Sequence, residues 1–177
     1  MATPPDFTAG QVLTAAQMNA IGLWLVKSQT IGSAVASVTV TGAFSADFDN
    51  YRVLIFGSQN SAQDRYQIQL GSATAAYYSV MEYYGANGVD GSERQNNGTR
   101  FEIGLTDSTA NNFYALDFQS PFTTGLNTLF SGLWSSRTYN GFCGGVILDN
   151  QSFTAFTLAP TTGTITGGEI QVYGYRN

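Results

Sequence analysis

From Ala34 to the end, the chain is a succession of short segments in which apolar and polar residues alternate, punctuated by clusters of Gly, Asn, Asp, Ser and Pro. A period of two puts every second side chain on one face, which a helix cannot satisfy, so each segment predicts a strand. Arg65–Leu70 is the cleanest case, with Tyr66, Ile68 and Leu70 on one face and Gln67 and Gln69 on the other. Arg100–Leu105 sets Phe101, Ile103 and Leu105 together. Gly168–Tyr175 sets Ile170 and Val172 against Gln171, Tyr173 and Tyr175. Tyr51–Phe56 is apolar at both parities and predicts a central strand covered on both sides.

Further strands are expected over Ala34–Val40, Tyr77–Tyr84, Asn112–Gln119, Leu126–Ser135, Phe142–Leu148 and Phe153–Leu158. Turns are expected at Gly42–Asn50, Ser58–Asp64 and Asp149–Gln151. Phe44 and Phe48 in the first of these turns are candidate plugs for the core edge. Gly85–Gly98 is rich in Gly and Asn and predicts a long loop or a hairpin with a mobile tip. About ten short strands at this spacing define the expected fold class: mainly β, an antiparallel β-sandwich with jelly-roll-like topology.

The first thirty residues read differently. Met1–Val12 contains Pro4 and Pro5 and predicts an extended arm. Thr14 and Gln17 have the spacing of a capping box, Leu13 and Met18 that of a hydrophobic staple. Met18, Ile21 and Leu25 recur at helical spacing beside Trp24, so a short amphipathic helix is expected over Ala15–Val26. The sandwich is expected to close its core without this helix, which makes Leu13, Met18, Ile21, Trp24 and Leu25 candidate attachment residues for another protein. The expected partition is an arm and attachment helix over 1–30 and a β-sandwich domain over 31–177.

With 177 residues the chain is long enough to bury a core without disulfides. It contains no His, which removes the usual general base, the Ser-His-Asp and Cys-His arrangements and His-containing zinc sites. Cys143 is the single cysteine, most simply a small buried residue. A net charge of −5 with no run of Lys or Arg argues against nucleic acid. The first residues lack a secretory signal pattern and no apolar run approaches spanning length, so no membrane insertion is expected. No cofactor and no metal site is expected. Asp47-Phe48-Asp49-Asn50 lacks the spacing and closing Glu of a calcium loop and reads as an Asx-rich turn. Glycoside hydrolysis needs two carboxylates across a cleft, and Glu82, Glu102 and Asp117 carry no motif beyond being present. The chain is expected not to be an enzyme.

Three stretches resemble a known family. Phe7-Thr8-Ala9-Gly10-Gln11-Val12-Leu13-Thr14-Ala15-Ala16-Gln17-Met18-Asn19 resembles the N-terminal segment of many tailed-bacteriophage virion proteins. Ile165–Tyr175 is similar to the terminal strand of phage tail-fibre and head-fibre modules, and Phe48–Val53 to their second strand. The resemblance spans about a third of the chain and brings no catalytic signature. It implies a structural or host-binding component of a virion, a tail fibre, minor tail or capsid decoration protein assembled in the bacterial host cytoplasm. A homotrimer and contacts with other virion proteins are implied with it. The alternative is a tail-fibre tip module that binds host surface glycan.

Candidate receptor or partner residues lie in two segments. Tyr84, Asp90, Arg94 and Asn97 belong to or flank the Gly85–Gly98 stretch, and Trp134, Arg137 and Tyr139 belong to the Ser135–Gly141 loop and its edge. Among Tyr77, Tyr78, Tyr83 and Tyr84, strand alternation puts 77 and 83 on one face and 78 and 84 on the other, so at most half form one surface.

Overall fold

The computed structural model describes residues 22–175 together with Gly10 and Val12. In chain order the strands are β1 (Trp24–Thr30), β2 (Val38–Thr41), β3 (Asn50–Asn60), β4 (Arg65–Leu70), β5 (Tyr77–Gly85), β6 (Gly91–Gly98) and β7 (Phe101–Leu105). There follow β8 (Asn112–Gln119), β9 (Thr128–Ser135), β10 (Tyr139–Ile147), β11 (Ala155–Pro160), β12 (Ile165–Thr166) and β13 (Glu169–Tyr175). They form an antiparallel sandwich of two sheets. The large sheet runs β1-β13-β3-β8-β9-β10-β5-β6 with β12 attached to β3, and the small sheet runs β2-β11-β4-β7. The expected sandwich is therefore present, with thirteen strands among the described residues.

Alternation sets the inward faces. Val38 and Val40 turn inward from β2 while Thr39 and Thr41 face out. Thr39 Oγ1 meets Thr157 Oγ1 at 2.9 Å across the strand pair, a cross-strand contact of the kind that stabilises sheets. Tyr66, Ile68 and Leu70 are fully buried on β4, as are Ile170 and Val172 on β13. Between the sheets the aromatic rings form a chain of contacts, edge-on, tilted or stacked. Phe44 packs on Tyr51 at 4.9 Å, Phe118 on Phe130 at 5.8 Å, and Phe130 on Phe101 at 4.3 Å. Phe44 and Phe48 are the plugs expected of the turn before β3, Phe44 buried and Phe48 half-buried edge-on to Tyr51. The Tyr51 hydroxyl ties that turn down, donating to the Ser45 carbonyl at 2.8 Å and accepting from the Ser45 amide at 2.7 Å.

The helix expected over Ala15–Val26 requires correction at its C-terminal end. Trp24, Leu25 and Val26 belong to β1, which pairs antiparallel with β13, Trp24 opposite Gly174 and Leu25 opposite Tyr173. Lys27–Thr30, expected as a connection, continues the same strand. The i, i+3, i+4 spacing of apolar residues is a local preference, and an open sheet edge offering unpaired N–H and C=O groups outweighs it. Leu13, Met18 and Ile21 lie outside the described residues. Of the two forms expected for Gly85–Gly98, the hairpin is present: residues 86–90 form its turn and Gly91–Gly98 is its second strand.

Candidate attachment and recognition surfaces

The strand directions give the sandwich two distinct ends. At one end lie the start of β1 at Trp24, the end of β13 at Tyr175 and the start of β3 at Asn50, since Tyr175 pairs with Asn50 and Trp24 with Gly174. At the other end lie the β5–β6 turn (86–90), the β9–β10 turn (136–138) and the β7–β8 loop (106–111). A chain segment leading into β1 therefore arrives at the end opposite these three loops.

The three loops hold one another. Ala86 N–H donates to the Thr138 carbonyl at 2.9 Å, which links the first two. Arg137 Nη1 donates to Thr109 Oγ1 at 2.8 Å, which links the second to the third. Within the hairpin tip, Asp90 Oδ1 accepts from the Gly85 amide at 3.1 Å. Asn87 Oδ1 accepts from the Val89 amide at 3.2 Å. Such side-chain to backbone contacts by Asx residues fix a short turn. Tyr139 stands edge-on to Tyr83, ring centres 5.6 Å apart, and its hydroxyl accepts from Asn87 Nδ2 at 3.5 Å. Asp107 anchors the third loop by accepting from the Thr109 amide and hydroxyl, at 2.6 and 2.8 Å, and from the Ala110 amide at 3.1 Å. Burial pushes the Asp107 carboxyl up, but these hydrogen bonds and the Arg137 charge outweigh it and hold its pKa below the usual carboxylate value.

Of the residues singled out from the sequence, Asp90, Arg137 and Tyr139 thus belong to the linked loops, and Tyr84, opposite Asn140, stands at the same end of β5 on the outer face of the large sheet. Tyr84 is exposed, at 54%, with its ring 6.5 Å from Phe142, and Asp90 and Arg137 are exposed as well. Arg94 sits in the middle of β6 and faces outward opposite Val80. Asn97 lies at the opposite end of the molecule, where it adopts a φ of +56° and accepts from the Ala76 amide at 3.0 Å. Trp134 is a core residue, 2% exposed and stacked on Tyr114, so it presents no surface to a ligand. The tyrosine pattern divides as alternation requires: Tyr77 is fully buried and Tyr83 packs on the core, while Tyr84 faces solvent. Cys143 is buried, which pushes its thiol up to about 12.

The carboxylates Glu82, Glu102 and Asp117 do not share a cleft. Asp117 is engaged by Arg52 on the outer face of the large sheet. Glu102 is buried under the small sheet's edge, where Arg65 at 3.2 Å and Gln95 at 2.8 Å bind Oε1.

One surface escaped sequence reasoning. The outer face of the large sheet is apolar through Val80, Phe113, Leu129, Leu133 and Phe142, all exposed. Tyr51–Phe56 is central as expected, yet only its Tyr51, Val53 and Ile55 side is fully covered, and Arg52 and Leu54 belong to this outer face. The signal was present in segments such as Leu129–Trp134, where both parities contain large apolar residues. A strand read only for its inward face hides that second set.

No family model matches the chain, and no curated protein matches it. Among solved structures it is similar to the galectin LEC-6 of Caenorhabditis elegans, with a TM-score of 0.40 and 12% identity over 81% of this chain and 94% of that one. It is also similar to the tripod from the baseplate of bacteriophage Tuc2009, with a TM-score of 0.26 and 10% identity over 100% of this chain and 76% of that one. A third likeness, at a TM-score of 0.16 and 10% identity, is to the VP2 subviral particle of infectious bursal disease virus, covering 84% of this chain and 41% of that one. At these values none of the three transfers a function to this chain.

Proposed function

We propose that this chain is a non-enzymatic structural component of a tailed-phage virion, attached to other virion proteins through its N-terminal residues and presenting its three-loop end outward. The observation that supports this reading is the polarity of the sandwich. The segment with the phage-like ending, β12–β13, pairs with β3, whose start holds the second phage-like stretch. In turn β13 pairs with β1, into which the N-terminal segment leads. Two phage-like stretches and the strand that follows the third are thus neighbours at one side of the sheet, and β1 begins at the end remote from the loops. Deleting residues 1–21 is expected to abolish incorporation into particles while leaving the thermal unfolding of the sandwich within a few degrees of the full chain. Unchanged incorporation would overturn the reading.

A second reading follows from Tyr84, exposed near the end of β5 with its ring beside Phe142 and its hydroxyl donating to Glu82 Oε2 at 3.5 Å. A host surface glycan would bind there, with the ring supplying a stacking face and the polar groups hydrogen bonds. Whole-cell or glycan-array binding by the full chain, lost on Tyr84→Ala, is the outcome this reading requires.

A further inference from the structure

The outer face of the large sheet is shaped as a ridge beside a trough. Backbone register aligns Leu54, Ala115, Leu133 and Phe142 in one row across β3, β8, β9 and β10. The next row is Arg52, Asp117, Ser131, Gly144 and, on β5, Val80. Leu133 is 65% exposed and Phe142 46%, so they stand proud. The small Ala115, Ser131 and Gly132 beside them leave a depression of about 440 Å³, walled by Leu133 and Phe142 and bounded by Arg52 and Asp117, and Gly144 continues the row of Ser131 without a side chain.

We propose that this face is the contact between two copies of the chain, related by a two-fold axis that lies across the strands midway between the two rows. Such a rotation keeps each strand over its own counterpart and exchanges the rows. Leu133 of each copy then stands over Ser131 of the other, and Phe142 over Gly144, so the largest side chains of the face fill its smallest positions. This is the interdigitation by which two sheets pack about 10 Å apart. A patch containing both knob and hole in adjacent rows is complementary to itself, which is the requirement of an isologous interface.

Charge and area point to the same occupant. The chain as a whole carries −5, yet on this face Asp117 and Glu82 are balanced by Arg52 and Arg94. A second copy therefore meets no net like charge. The same axis places Glu82 over Val80, one strand from Arg94 of the other copy, within reach of an ion pair. The face is six strands wide, from β3 across to β6. With four outward rows, those of Tyr78, Val80, Glu82 and Tyr84 on β5, at ordinary sheet spacing it covers roughly 800 Å², the share that one partner contributes to a standard stable interface, so pairing of copies and glycan binding at Tyr84 exclude each other. An isologous face closes a pair, in place of the homotrimer implied by the phage resemblance, and the inference stands whether or not the protein belongs to a virion.

Sedimentation velocity of the full chain at micromolar concentration tests this. The expected species contains two copies. Ser131→Arg, which fills the trough, is expected to raise the dissociation constant by on the order of 30-fold or more, with the circular-dichroism melt unchanged, and Ser131→Ala to leave it alone. Leu133→Asp, on a side chain already in solvent, is the second disrupting variant. Glu82→Arg is expected to weaken the pair and Glu82→Arg with Arg94→Glu to restore it. A single-copy species, a three-copy species, or a pair indifferent to both Ser131→Arg and Leu133→Asp each overturns the proposal.

Discussion

Arg52 on β3 and Asp117 on β8 stand directly opposite each other and join through two hydrogen bonds, Nε to Oδ1 at 2.9 Å and Nη2 to Oδ2 at 2.7 Å. The hydrogen bond to Asp117 raises the Arg52 pKa further above its already high value. Both side chains remain partly in water, so the pair adds little to the monomer's stability despite its fork geometry. A double-mutant cycle on Arg52→Ala and Asp117→Ala, measured by urea unfolding, is expected to return a coupling of about 0.5–1 kcal/mol that shrinks with salt.

Gly104, on β7 of the small sheet, is expected to tolerate substitution poorly. Its φ is +152°, and an added Cβ would lie 2.5 Å from the Trp134 ring and 2.7 Å from Tyr114. Gly104→Ala is therefore expected to cost about 2–4 kcal/mol through strain and overpacking. Gly88 also has a positive φ, but open space surrounds it. Gly88→Ala should cost about 1 kcal/mol. Chemical denaturation of both variants checks the ordering, and equal losses would contradict it.

Trp134→Ala is expected to act as a core deletion, costing about 3–5 kcal/mol. The reason is that the indole is buried between Tyr114 and the glycines at 104 and 141. Tyr84→Ala should leave stability nearly unchanged, within about 0.5 kcal/mol. The pair of melts separates a core aromatic from a surface one.

Asp107 predicts an acid limb. Its pKa is lowered in the folded state. Its contribution is therefore present above the unfolded carboxyl value of about 3.9 and is lost as pH falls through the folded value. The stability difference between the wild type and Asp107→Asn should be constant at neutral pH, shrink as pH falls below about 4 and vanish below the folded value. A difference independent of pH would mean that the loop does not depend on this charge.

An alkaline limb is expected from the core phenols. Burial pushes Tyr66 and Tyr77 up to about 12. Their contribution is fully present below the unfolded phenol value of about 10 and is lost as pH rises through the folded values. Absorbance titration should show tyrosines that ionise together with unfolding near that upper limit, and Tyr77→Phe should remove part of the amplitude.

Much of the fold was legible in the sequence because a half-buried strand writes its inward face directly into period-two alternation. Tyr66-Ile68-Leu70 and Ile170-Val172 lie where that pattern puts them. Pairing is not written in the same way. Nothing local distinguishes Trp24-Leu25-Val26 as a sheet edge from the last turn of a helix; β13 decides it. Trp134, in the expected strand Leu126–Ser135, reads as a recognition residue because it adjoins the loop that begins at Ser135, whereas parity with Phe130 places it inside. Tyr84, Asp90, Arg137 and Tyr139 could be named from composition, but their placement at one end of the molecule depends on β5 and β10 being neighbours, with four strands between them in sequence. The apolar outer face was hidden for the opposite reason: its residues alternate with core residues, and one parity accounted for burial so well that the other went unread.

Orientation on a particle is the central claim, and an electron-microscopy reconstruction of the virion that resolves this subunit tests it most directly. The Trp24–Tyr175 end is expected to face the particle, and the loops at 86–90, 106–111 and 136–138 to point to solvent. A subunit seated with those loops against the particle, or a virion that lacks the protein altogether, would contradict it.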